Sequence, residues 1–164
     1  MKGNEEVVKL SFNEIRDLDL CASIEVKCAD LYRQFEKLFA DLPEFALLWH
    51  KTASEEDNHA QQFRLASRLR GIGMGGVTID GVKVAEILQT IDAYITNMQK
   101  SRPSPAEALE FAIHLEDHLS EYHMTTAVSF TDAELSRLFT AMMENDQGHV
   151  TELQKALAKM LKKA

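Results

Sequence analysis

Apolar side chains recur at three- and four-residue steps along four long stretches of this chain. In the first, Leu18, Cys21, Ala22, Cys28, Ala29, Tyr32, Phe35 and Phe39 form one stripe. That spacing is the period of a helix that buries one face. Phe45, Trp49, Ala53 and Phe63 share a side in the second stretch. Leu109, Ala112, Ile113, Leu119 and Ala127 do so in the third, and Leu135, Leu138, Phe139, Met142, Leu153 and Met160 in the fourth. Helix starts punctuate the pattern. Ser11-x-x-Glu14, Ser104-x-x-Glu107 and Thr131-x-x-Glu134 have capping-box form, Pro105 suits a first helical position, and Asp41 precedes Pro43 in the same manner. These signals predict helices at about 11–40, 42–70, 104–129 and 131–162.

The turns between the first and second helices, and between the third and fourth, are short. Each pair is therefore expected to be antiparallel neighbours. The segment 71–103 differs. Gly71, Gly73, Gly75 and Gly76 end the second helix, and Val77-Thr78-Ile79-Asp80-Gly81 reads as irregular. Val84, Ile87, Leu88, Ile91, Ile95 and Met98 then restore helical periodicity over 83–100. The fold expected is all-α: an antiparallel four-helix bundle, with a long crossover containing a shorter helix between helices two and three. One domain spans 1–164, a length that can bury a substantial core.

Composition narrows the function classes. The chain is 45% hydrophobic and 27% charged, as soluble globular domains are. Its net charge of −8 speaks against nucleic acid as a partner, because phosphate binding needs a basic surface. Lys155, Lys159, Lys162 and Lys163 sit where cations suit a helix C-terminus. The start, MKGNEEVVKLSF, has no apolar run of signal-peptide length, and no stretch would span a membrane, so a cytoplasmic location is expected. Cys21 and Cys28 lie two helical turns apart, roughly 10 Å, too far for a mutual disulfide. No Cys-x-x-Cys occurs, which removes rubredoxin-like iron sites and cysteine-type structural zinc sites.

Acids interrupt the apolar stripes, and they do so twice. Glu25 followed by Glu56-x-x-His59 recurs as Glu116 followed by Asp146-x-x-His149. The offset is 91 residues for the first acid and 90 for the pair, and Leu48-Trp49 matches Leu138-Phe139 at 90. With 26 acids and six histidines, about one acid-x-x-His is expected by chance, so the weight lies in the repeat. Each half reads as one helical hairpin of a pseudo-twofold pair. The four acids and two histidines all fall on inward faces. Four carboxylates in an apolar core are prohibitively costly without partners, and two divalent cations would neutralise them. A spacing of three puts acid and histidine on adjacent turns of one face, so both can reach one ion. Carboxylate with imidazole suits iron, manganese or zinc.

The arrangement resembles the ferritin-like di-iron carboxylate superfamily, whose scheme takes one Glu from each of two helices and Glu-x-x-His from each of the other two. Both halves carry the acid-x-x-His pair, so the chain looks most like the rubrerythrin-type branch, over nearly its whole length. Ala22-x-x-Glu25 with Tyr32, and Ala108-Leu109-Glu110-Phe111-Ala112-Ile113-x-x-Glu116, are similar to that branch's first and third helices. The resemblance implies that Glu25 and Glu116 bridge two iron ions (manganese or zinc being alternatives). Glu56 and Asp146 would bind terminally, and His59 and His149 would each bind one metal. It also implies reaction with O2 or hydrogen peroxide, an external electron-donor protein, since no rubredoxin-like domain is present, and a homodimer. The chain departs from the pattern in three places. Asp146 stands where Glu is usual, Leu119 where an extra carboxylate often occurs, and His123 where the first half has Tyr32.

Other residues compete for attention. Glu55 is four residues before His59 and rivals Glu56, but the repeat favours Glu56. His114 and His118 are spaced for a shared metal, yet both lie about 160° from Glu116 around the helix and should face outward. His50 also reads as surface, and the Met residues as core filler. Tyr32 is a candidate catalytic residue, by hydrogen-bonding a ligand or relaying an electron; a buried aromatic with a satisfied hydroxyl is the alternative. Cys21 and Cys28 flank Glu25 and read as small core residues. Two functions follow: peroxide scavenging or Fe(II) oxidation at a di-iron site, or a non-catalytic metal-binding or interaction bundle with a modified di-metal site.

Overall fold

Ser11 caps the first helix as its sequence predicts: its hydroxyl accepts from the Glu14 N–H, and Glu14 accepts in return from the Ser11 N–H at 2.7 Å. A computed structural model describes residues 10–69, 74–78, 80–125, 127–130 and 133–162. Within them five helices carry the fold: α1 (Phe12–Leu38), α2 (Pro43–Leu69), α3 (Gly81–Lys100), α4 (Pro105–Thr125) and α5 (Ala133–Leu161). Asp80 caps α3 by accepting from the Val82 and Lys83 N–H groups. Ser104 and Glu107 exchange the same reciprocal bonds ahead of α4, at 2.7 and 3.2 Å. Ser104→Ala is expected to cost about 1 kcal/mol, a value drawn from cap substitutions generally. Chemical denaturation would read it as a lower midpoint with unchanged slope.

The helices pack through their apolar stripes. α1 lies most extensively on α2, α4 on α5, and α3 leans on α1. Between α1 and α2 the partners climb one helix as they descend the other. Phe39 meets Phe45, Tyr32 stacks on Trp49 with ring centroids 5.6 Å apart, Arg33 pairs with Asp57, and Glu25 faces His59. Lys51–Glu152 at 2.9 Å and Lys159–Glu44 at 2.6 Å join α2 to α5. One core runs through the assembly, with Trp49, Tyr32, Phe35, Phe39 and Phe63 its largest buried side chains. Val84, Ile87 and Ile91 of α3 belong to it, so the crossover helix is part of the core rather than a tether. No described helix is long and apolar enough to cross a membrane.

Two segments correct the sequence reading. Residues 77–81 were expected to be irregular and the third helix to reach 129. Instead β1 (Met74–Thr78) and β2 (Ala127–Phe130) pair as a short antiparallel ribbon, Val77 opposite Val128 and Thr78 opposite Ala127, with an irregularity between Met74 and Gly76. The reason is mutual: each strand gives the other's backbone N–H and C=O groups partners once both helices have ended. Neither strand has that partner within its own stretch of sequence. The Thr131 capping box lies outside the described residues.

Candidate metal centre

Glu25 on α1, Glu56 and His59 on α2, Glu116 on α4 and His149 on α5 converge in the middle of the core. Their exposures are 0, 1, 1, 1 and 4%. Helix geometry explains the convergence. Each residue sits within its helix's apolar stripe, so docking the stripes carries all five inward. They form two overlapping groups, Glu25–Glu56–His59 and Glu56–Glu116–His149, and in each the donor atoms lie within 4.8 Å of one another. Asp146 is on the same helix as His149, but its side chain lies outside the described residues.

Glu56 is the hinge of the site. Its Oε2 lies 3.2 Å from His59 Nδ1 and its Oε1 lies 3.1 Å from His149 Nδ1. The two imidazoles are near-parallel, with centroids 5.7 Å apart. Glu25 Oε2 approaches His59 Nδ1 at 4.0 Å, and Glu116 Oε2 approaches His149 Nδ1 at 3.6 Å. The side chain common to both groups is thus Glu56, whereas the resemblance gives the shared positions to Glu25 and Glu116.

Two further residues hold the donors in place. The Tyr32 hydroxyl donates to Glu116 Oε1, which leaves Oε2 facing His149. Glu55, passed over in favour of Glu56 by the repeat, places its Oε2 2.7 Å from His149 Nε2, on the far side of the ring from Glu56. A carboxylate on the distal nitrogen fixes an imidazole's tautomer and orientation, as it does around many metal-ligating histidines. Lys51 lies 3.9 Å from Glu55 and extends the chain of charges to the surface. The sequence signal for Glu55 was its place four residues before His59, beside Glu56, and it pointed to His59 rather than to His149. His114, His118 and His50 are exposed, as expected, and Cys21 and Cys28 are buried free thiols.

The electrostatics are those of a crowded anionic core. Burial pushes Glu56 up, but His149 and His59 outweigh it and hold its carboxyl far below the ordinary range. Burial, and then the Glu56 charge, raise Glu116. Burial opposes a charge on His149, yet the carboxylates of Glu116, Glu55 and Glu56 prevail and hold its proton far above the usual imidazole range. Burial and the Glu116 charge keep the Tyr32 hydroxyl protonated, so it remains a donor.

These donors fit a divalent metal. Among the described residues three buried carboxylates face two imidazoles, leaving net negative charge in a buried core, and oxygen with imidazole nitrogen is the donor set of iron, manganese or zinc. A cation must displace the His149 proton before it can use that nitrogen. The carboxylates around His149 favour its protonated form in the metal-free protein, so metal affinity is expected to rise with pH. The expected slope is about tenfold per pH unit for each proton released. Zn2+ titration at several pH values, with a pH indicator counting released protons, would measure it; a pH-independent affinity would contradict the assignment.

Comparison with family models, with curated proteins and with solved structures found no match for this chain.

Proposed function

We propose that this chain is a di-metal carboxylate protein, built as a ferritin-like antiparallel four-helix bundle, that holds two iron ions and reacts with O2 or hydrogen peroxide. The observation that carries the reading is the pair of overlapping donor groups sharing Glu56 in the buried core. Glu25, Glu56, His59, Glu116 and His149 would hold the ions, with Asp146 completing the repeat. Bound there, the ions would supply the electrons that reduce the oxidant, and an external donor protein would restore them. The chain's own part is to bind, orient and keep the site dry. Glu55 orients His149, Tyr32 orients Glu116 and carries a proton at its hydroxyl beside the site, and Trp49 and Phe35 pack behind Tyr32. A polar recess of about 700 Å³ lined by Glu55, Asn58, His59 and Gln62 reaches the site's edge and offers a route for a small oxidant or ion. A cytoplasmic homodimer is the setting we propose for it.

The test is metal analysis of the purified protein, then anaerobic Fe(II) loading and stopped-flow spectra with O2 and peroxide separately. Two iron ions per chain and a spectral change with at least one of the two oxidants are expected; a faster reaction with peroxide would favour a peroxidase. Tyr32→Phe keeps the ring but removes the bond to Glu116. It should retain the iron and slow oxidation by about a hundredfold, at the lower end of proton-transfer effects. Absence of iron uptake by metal-free protein would sink the proposal. The second reading, a non-catalytic metal-binding or interaction bundle, is favoured by the contacts the donors already make with one another. It predicts bound metal with no spectral change on adding peroxide.

A further inference from the structure

The face of α4 opposite Glu116 carries its own constellation. His114 and His118 are one turn apart and exposed, and they line a groove of about 270 Å³ between α3 and α4. Across it stand Glu86 and Thr90, with Ile87, Phe111 and Leu115 as an apolar floor. The register of the two helices follows from Tyr94, whose ring stacks on Phe111 with centroids 3.6 Å apart. Stepping about two turns from that contact, back along α3 to Glu86 and forward along α4 to His118, brings those two level.

His118 is also preset. Its Nδ1 donates to the His114 carbonyl oxygen at 2.8 Å. A carbonyl oxygen only accepts, so Nδ1 is the donor, and in the neutral ring Nε2 keeps its lone pair, turned away from the helix. That is the state an imidazole needs to bind a cation, fixed by a backbone carbonyl on the other nitrogen. A second imidazole four residues away on the same face supplies a chelating partner, as in helical His-x-x-x-His zinc pairs. A carboxylate from a neighbouring helix completes a three-ligand set that leaves a position for water.

We infer that this groove is a second, surface cation site, distinct from the buried centre, which takes a borderline divalent ion such as Zn2+ through His118, His114 and Glu86. With the side chains as they stand the three donors do not converge within 4.8 Å, so closure requires rotation of exposed side chains about their bonds. Such rotations take nanoseconds or less. Lys83 lines the same groove and is the cation the metal must outcompete. The bound ion would tie α3 to α4, two helices that meet here through side chains across a groove.

The test is equilibrium dialysis of the full chain, as purified, against micromolar Zn2+, with metal analysis of the wild type, His118→Asn, His114→Asn and Glu86→Gln. All three positions are exposed, so the variants should fold. Each histidine variant is expected to lose about one zinc per chain, and Glu86→Gln to bind zinc measurably more weakly than the wild type. In wild-type protein the ring proton signals of His114 and His118 should shift together as zinc is added. Equal zinc content in wild type and His118→Asn overturns the site. Full loss in the histidine variants with Glu86→Gln unaffected overturns the three-ligand assignment. Glu25→Gln separates this outcome from failure at the buried centre, because it should change zinc bound there and leave the two surface ring signals responding.

Discussion

Glu56→Gln is expected to abolish binding at both halves of the buried centre, whereas Glu25→Gln should weaken only one. Glu56 offers one oxygen toward each imidazole and is the single side chain present in both donor groups. The amide keeps the shape but loses the charge and one acceptor. It also leaves His149, whose proton the surrounding carboxylates retain, with one fewer counter-charge in the core. Removing one partner from a buried charged pair typically costs about 3–5 kcal/mol, so the metal-free variant should also melt earlier. Metal content and circular dichroism read the two effects separately. A Glu56→Gln protein that still takes up two ions would refute the shared role. Glu25→Gln leaves the Glu56–Glu116–His149 group whole and should keep close to one ion per chain.

Trp49→Ala should be the most destabilising single truncation in the core. The indole is fully buried, with ring centroids 5.6 Å from Tyr32 and 4.8 Å from Phe35. Truncating a buried Trp to Ala costs about 3–5 kcal/mol, a large part of the roughly 5–15 kcal/mol that holds a domain folded. At about 2–4 °C per kcal/mol for a chain of this size, the melting temperature should fall by roughly 10 °C. The indole Nε1 is buried without a hydrogen-bond partner among the described residues. Trp49→Phe discards that stranded donor and should cost well under half as much. Because Tyr32 rests on this ring, the alanine variant should also loosen the Glu116 carboxylate. A drop in metal affinity beyond that of Trp49→Phe would show it.

Much of this could be read from the chain because helix periodicity is a local property. Glu25 falls between Cys21 and Cys28 on one stripe, and Glu116 between Ile113 and Leu119 on another, so burial of both acids follows from spacing alone. The convergence of Glu56, His59 and His149 follows in the same way once the stripes are docked. What could not be read depends on how the helices meet. Glu55 points at His149 because α5 crosses α2 at that height, and spacing within one helix carries no trace of the crossing. The sharing of Glu56 depends on the same approach of three helices. The ribbon escaped for a related reason: Val77 and Val128 are distant in sequence, and Gly75 and Gly76 argue locally against any strand. His114 and His118 were placed correctly on the outer face, but the sequence does not show that Glu86 stands across from them.

The pairing of Val77 with Val128 joins a segment that follows α2 to one that follows α4. Closing so long a stretch of chain carries an entropic cost that few ribbon hydrogen bonds repay, so the two strands should zip only after α1 has packed on α2 and α4 on α5. The ribbon is then a clock for assembly. Its amides should gain protection from solvent exchange last during refolding and lose it first as the protein opens, ahead of those facing the Tyr32–Trp49 stack.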